Sequence, residues 1–147
     1  MIKKFDGNYR WLSNFWDHPI EVGGKTYPST EHYYQACKCF PMDDIGHDAI
    51  RTAGSPFEAK KLGLQALLRP DWELVKEGVM LTALRAKFLK GTTLAAKLLE
   101  TGDAPLVEGN HWHDQVYGVC HCSKHKGTGL NVLGKLLMQV RKELQNG

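Results

Sequence analysis

The 147-residue chain has no run of apolar residues long enough to cross a bilayer, and no apolar segment follows Met1-Ile2-Lys3-Lys4 as a secretory leader would require. A membrane role is therefore not expected, and a cytoplasmic location is. The sequence also lacks internal repeats and low-complexity tracts, which argues against a solenoid or a disordered tail. It lacks a strong excess of charge: 19 Lys and Arg face 16 Asp and Glu for a net +3, and the basic residues are scattered. No segment resembles a tail that holds nucleic acid by charge alone, although a pocket for one anionic ligand is compatible with this balance. Cysteine is sparse, with four residues in two Cys-x-Cys pairs, Cys37/Cys39 and Cys120/Cys122. That spacing suits no disulfide within a pair, and reduced thiols are expected. There is no glycine-rich loop to cradle phosphate and no Ser-His-Asp set.

What is present is one domain's worth of chain, 42% hydrophobic and 24% charged, enough to bury a core without staples. A single domain over residues 1–147 is expected, and nothing in the sequence sets an oligomeric state. The reading is mainly helical with short strands. Ile2 to Phe5 reads as a short strand, and Tyr9 to Trp16 as a structured loop with aromatic anchors. Ile20 to Tyr27 reads as a hairpin turning at Gly23-Gly24. Helices are predicted from Glu31 to about Phe40, over Ile45–Ala53, from Ser55-Pro56 to about Leu68, from Asp71 to Gly91, and from Thr92 or Thr93 to Gly102. Pro105–Glu108 and Val116–Val119 read as strands flanking a polar, aromatic loop, and Asn131 as the cap of a last amphipathic helix.

Within the first predicted helix, Glu31, Gln35 and Lys38 fall at i, i+4 and i+7, which aligns an acid, an amide and a base on one face. Tyr33, Ala36, Cys37 and Phe40 lie opposite and can dock on a core. Spacing alone fits a solvated face with a weak ion pair as well as it fits a site. Elsewhere the bland readings are similar. Lys87 can be one more solvated helix lysine, Trp72 a core anchor, and Asn14 the closure of an Asx turn.

Leu12-Ser13-Asn14-Phe15, Tyr27-Pro28-Ser29-Thr30-Glu31-His32 with Gln35 and Lys38, Asp71-Trp72, and Val79-Met80 with Lys87-Phe88 form one ordered series. It continues through Thr101-Gly102-Asp103, Leu106-Val107-Glu108, Asp114 with Tyr117-Gly118, and Gly129-Leu130-Asn131 with Leu133-Gly134 through Arg141. From about Phe5 to Leu144 the series resembles the NADAR family. That resemblance implies a compact α+β fold, mainly helical with a small β-sheet, and an N-glycosidase activity on ribosylated substrates. These are intermediates of riboflavin synthesis in one branch and ADP-ribose on guanine in another. The family usually has Trp-Gly where this chain has Tyr117-Gly118, which keeps an aromatic face but replaces the indole N–H by a hydroxyl.

Breaking an N-glycosidic bond develops positive charge at C1 of the ribose and negative charge on the departing nitrogen. A carboxylate near C1 and a proton donor for the base are therefore needed. With the resemblance, Glu31, Asp114 and Lys38 are expected to be catalytic, and Asn14, Gln35, Trp72, Lys87, Tyr117 and Gly118 to bind substrate. A helix-start position favours a charged Glu31 and hence an electrostatic or base role. Lys38 and Lys87 each suit either a phosphate contact or attack on C1 of a ring-opened sugar. Arg10 and Arg141 are weaker phosphate candidates. The expected partner is a small nucleotide-like substrate or ADP-ribosylated nucleic acid, with no cofactor. No metal is expected, because Cys120-x-Cys122-x-x-His125, even with His111, His113 and His121 nearby, fits the usual spacing of structural zinc sites poorly. A non-catalytic module that binds ADP-ribose or a nucleotide is the alternative.

Overall fold

In the computed structural model, which describes residues 1–147, Gly23 and Gly24 take φ of 61° and 81°. Two positive φ values in succession are what a two-residue hairpin turn demands. They join β1 (Ile20–Val22) to β2 (Lys25–Tyr27) in antiparallel register, Ile20 opposite Tyr27. The predicted hairpin is thus present, and its last residue delivers the chain to the helices that carry the site. The fold is α+β, with six α-helices, one 3-10 helix and two small two-stranded sheets. No helix is long and apolar enough to cross a membrane. The chain gathers into two units, residues 14–87 and residues 1–13 with 88–147.

In the unit of residues 14–87, four helices follow the hairpin: α1 (Thr30–Ala36), α2 (Asp44–Arg51), α3 (Pro56–Leu64) and α4 (Trp72–Lys87). Their starts follow from side-chain oxygens that accept otherwise orphaned amides. Ser29 accepts from the His32 N–H, Asp43 from Gly46 and Ser55 from Glu58, and such a cap is worth about 1 kcal/mol. Asp71 directly precedes α4, its carbonyl accepting from the Leu74 and Val75 amides and its carboxylate held by Arg69 Nε and Nη2 at 2.6 and 3.0 Å. Helix α1 packs against α2, α3 and α4. Its neighbours come close because the core uses small residues, Ala36, Cys39, Ala59 and Ala83, beside Ile20, Tyr27 and Ile50. Tyr27 anchors this core, edge-on to Tyr33 and hydrogen-bonded through its hydroxyl to His47 Nε2 at 2.9 Å.

The other unit begins with a 3-10 helix over Gly7–Leu12, which buries Trp11 and Leu12 where an aromatic loop was expected. Trp11 meets Phe88 edge to face. Helix α5 (Thr93–Glu100) is capped by Thr92. The strands β3 (Gly109–Asn110) and β4 (Val119–Cys120) pair in parallel, and α6 (Val132–Asn146) buries Leu133, Leu137 and Val140. Asn131 precedes α6 in a left-handed conformation without capping it. Its side chain instead donates to the Leu106 carbonyl and accepts from the Glu108 N–H, tying the loop to the helix start.

Several boundaries differ from the sequence reading. Helix α1 stops at Ala36 because the Lys38, Cys39 and Phe40 amides bond carbonyls three residues back, which winds the chain into tight turns. Helix α3 ends at Leu64, short of Leu68. The buried face of α4 is Trp72, Met80, Ala83, Leu84 and Lys87, while Val75 and Val79 are only half-buried. The strand expected over Ile2–Phe5 reduces to one bridge from Ile2 to Leu106, and the later strands lie at 109–110 and 119–120.

Candidate active site

Glu31, in the first turn of α1, is only 7% exposed, and Gln35 one turn later is 4% exposed. Gln35 Nε2 donates to Glu31 Oε2 at 2.6 Å. A solvated amphipathic face is therefore excluded at Glu31 and Gln35, which are both buried. A carboxylate taken out of water costs free energy unless polar groups meet it, and here an amide does so. This assignment leaves Gln35 Oε1 buried without a hydrogen-bond partner. An atom in that state costs roughly 1–3 kcal/mol, so the amide is held in place at a price in stability. Helix α3 fixes it sterically, since a Cβ on Gly63 would fall 1.9 Å from Gln35 Oε1. Glycine is required there by close approach.

Asn14 is buried beside this helix start. Its carbonyl accepts from the Glu31 N–H at 3.2 Å, its Oδ1 accepts from the Thr30 hydroxyl at 2.8 Å, and its Nδ2 lies 3.3 Å from Met80 Sδ. Asn14 thus positions Glu31 and is no simple Asx turn. Thr30 and Met80 complete the arrangement; both stand in the ordered series that resembles the family, but neither was singled out as a site residue. His32 braces the other side. Its Nε2 sits 2.9 Å from the Ala53 carbonyl, which can only accept, so the proton lies on Nε2 and the Ser29 hydroxyl serves Nδ1 at 2.7 Å.

Lys38 lies just beyond α1 and is half-buried, its ammonium 6.0 Å from the centre of the Trp72 ring. Burial draws its pKa below the ordinary lysine range, and the nearby Glu31 carboxylate opposes that shift without cancelling it. Trp72 is 5% exposed and meets Tyr34 edge to face at 5.0 Å, so it is anchored in the core. Lys87 is the residue that departs most from a solvated helix lysine. It is 2% exposed, and burial brings its pKa down to about 7. His18 is lowered in turn by its own burial and by the Lys87 charge.

The loop of residues 109–128 belongs to the other unit. Asp114 is half-buried, and its Oδ1 accepts from the Val116 and Tyr117 N–H groups at 3.1 and 2.9 Å. Asn110, 2% exposed, organises the loop from within: Nδ2 donates to Glu108 Oε2 and the Asp114 carbonyl, and Oδ1 accepts from the Trp112 and Asp114 amides. Sequence reasoning passed over Asn110; its only signal was its place after Gly109. Gly118 has a packing reason, since a Cβ there would lie 1.8 Å from Glu108 Oε2. Tyr117 is half-buried, its amide bound to Asp114. Arg141 spends Nη1 on Thr101 Oγ1 and the Ala104 carbonyl, both at 2.9 Å, which makes it a structural tie. In the same unit His113, Cys120, Cys122 and His125 converge, their donor atoms all within 4.8 Å of one another. A hollow of about 500 Å³ edged by Asn8, Trp11, Lys97 and Thr101 contains none of the expected site residues.

The chain is similar along nearly all its length to characterised proteins. N-glycosidase YbiA of Escherichia coli is 43% identical over 139 residues, 93% of this chain and 82% of that protein. N-glycosidase Npun_R5314 of Nostoc punctiforme is 41% identical over 94% of this chain and 87% of its own length. The riboflavin biosynthesis protein VVA0006 of Vibrio vulnificus is 40% identical over 95% of this chain, though the match spans 37% of that longer protein. The NMR structure of E. coli YbiA superposes with a TM-score of 0.81 at 40% identity, covering 99% of this chain and 88% of that one. The NADAR domain model matches residues 2–145, and the chain belongs to the NADAR domain family.

Proposed function

We propose that this protein is a cytoplasmic N-glycosidase that hydrolyses the ribosyl–base bond of a small nucleotide-like substrate, either ADP-ribosylated guanine or a phosphorylated ribosylamino-pyrimidine of riboflavin synthesis. The observation that carries the proposal is the buried Glu31 carboxylate, held by Gln35 at 2.6 Å with the half-buried Lys38 in electrostatic reach. Relatives that are named N-glycosidases at 41–43% identity support the reaction class. The match from residue 2 to residue 145 supports treating the chain as one domain.

In this reading Glu31 faces C1 of the ribose, stabilises the oxocarbenium-like state and takes a proton from the attacking water. The hydroxyl joins C1 as the C–N bond breaks, and its electron pair leaves with the base. Lys38 supplies the proton that the base nitrogen acquires, a transfer made easier by the downward shift that burial imposes on its ammonium. Asp114 is the proposed second carboxylate, sharing the charge that develops on the sugar. The two N–H groups on its Oδ1 fix its direction. Asn14 and Gln35 position Glu31, and Trp72 and Tyr117 are each proposed to contact substrate. For Lys87, a pKa near 7 favours a neutral amine that donates a hydrogen bond or attacks carbon over a fixed charge for phosphate.

The second reading, a binding module, draws on Tyr117 standing where the family pattern has tryptophan. The two separate when the protein is incubated with ADP-ribosylated guanine, as nucleoside and in DNA, and with the riboflavin-pathway intermediate, and free sugar and base are sought by mass spectrometry. Stoichiometric release of base and sugar from one substrate supports the enzyme. Tight binding of ADP-ribose with every substrate intact after long incubation replaces it with the binding module.

A further inference from the structure

We propose that His113, Cys120, Cys122 and His125 form a structural zinc site that locks the loop of residues 109–128. Along the chain the four residues are spaced His-x6-Cys-x-Cys-x2-His, with no second Cys-x2-4-Cys pair to announce a site. Folding supplies what the spacing hides. Parallel pairing sets Asn110 opposite Cys120, and the His121 amide bonds the Asn110 carbonyl at 2.7 Å. The chain then turns back through Cys122 to His125 and rejoins Cys120, whose amide bonds the Thr128 carbonyl at 3.0 Å and whose carbonyl accepts from Gly127 at 2.7 Å. His113 turns toward this loop from the other side, with φ of 73°.

The donor atoms of all four residues lie within 4.8 Å of one another, and the Cys122 sulfur is 3.4 Å from His113 Nδ1 and 3.3 Å from His125 Nδ1. Zinc bonds of about 2.3 Å to sulfur and 2.0–2.1 Å to nitrogen give a tetrahedron whose sulfur–nitrogen edges are about 3.5 Å. Both sulfur–nitrogen separations match those edges, and a donor set no wider than 4.8 Å suits one ion and is too small for a two-iron cluster. Two thiolates and two imidazoles are the donor set of structural zinc sites, and two thiolate charges neutralise the ion, so the buried Cys120 is accommodated without a stranded charge. The His125 amide also donates to the Cys122 sulfur at 3.4 Å, an outer-shell bond that steadies a thiolate ligand. With four protein ligands no position is left for water, so the ion holds the loop that carries Asp114 and Tyr117 and takes no part in hydrolysis.

The full chain, made in zinc-supplemented medium without a polyhistidine tag and purified with a phosphine reductant, is analysed for zinc by plasma emission. Zinc is then exchanged for cobalt. The proposal expects one zinc per chain, strong visible absorption with a thiolate-to-cobalt charge-transfer band, and a Tm lowered by several degrees on chelation. H113A and C122S are expected to lose the metal and the band. A double H111A/H121A variant, which removes the neighbouring surface histidine pair, is expected to keep both. Zinc well below one per chain with no cobalt band, metal retained by both H113A and C122S, or metal lost in H111A/H121A would each overturn the site. The cobalt band is read on wild-type protein, so failure of either variant to fold leaves the test decisive.

Discussion

Lys87 shows most clearly how a side chain's surroundings, and not its type, set its chemistry. Its folded pKa of about 7 lies below the roughly 10.4 of an unfolded lysine. The folded state therefore binds fewer protons than the unfolded state between those values, and its stability rises with pH across that window. Turned around, the burial penalty is absent above about pH 10.4, grows as pH falls toward 7, and levels off at roughly 5 kcal/mol below it. Lys87→Met should therefore be more stable than the native chain at pH 6, with a smaller advantage at pH 9. Urea unfolding at the two pH values checks this, and an advantage independent of pH would refute the assigned shift. For Asp114, replacement by Asn keeps an oxygen for the Val116 and Tyr117 amides while removing the charge. The proposal expects kcat/KM to fall by about 10²-fold or more with an unchanged Tm; retained activity would leave Asp114 as a loop-shaping residue only. The sequence made Glu31, Gln35 and Lys38 visible as a row, because helical periodicity is written in spacing. It did not reveal that Glu31 and Gln35 are buried, since burial comes from α3 and Asn14, which are remote in sequence.

At the scale of elements, the contact between α1 and α3 sets the site. Gly63 lets α3 approach until Gln35 has one orientation, so Gly63→Ala should displace the Gln35 amide from Glu31. Overpacking of this kind costs about 1–3 kcal/mol. A matching loss of kcat/KM is expected, about tenfold, as the Glu31 carboxylate loses its charge-assisted partner. Thermal melts and steady-state kinetics measured together check both halves; an unperturbed rate would mean that Gln35 does not hold Glu31 for catalysis. The helix starts were legible to within a residue or two, because capping, here by Ser29, Asp43, Ser55 and Thr92, is a local exchange between neighbouring groups. Helix ends were less so. The tight turns after Ala36 arise from amides reaching three residues back, which periodicity does not report. The loop of residues 109–128 was legible as a loop and its Cys and His residues as a group, but their spacing argued against a metal and did not show that four of them converge. Its four metal-type donors meet through a parallel pairing of two-residue strands too short to be seen in sequence.

For the whole molecule, a net charge of +3 spread over the chain argues for a compact substrate. If a substrate in DNA is cleaved, log kcat/KM against log salt should have a slope no steeper than about −2, as for one or two phosphate contacts. A slope near −6 would point to an extended nucleic-acid track and contradict the small-substrate reading. Family and fold class were legible because the ordered series from Leu12 to Arg141 is distributed over the chain, and agreement over 2–145 with one domain model and a TM-score of 0.81 with YbiA follow from it. Catalysis by the buried carboxylate is the central claim, and the most direct measurement is the single-turnover rate of Glu31→Gln beside the native chain, with melting curves of both. The substitution keeps size and helix and removes only the charge, so the rate should fall by about 10²–10³-fold while Tm stays nearly constant. An unchanged rate in a folded variant would contradict the account.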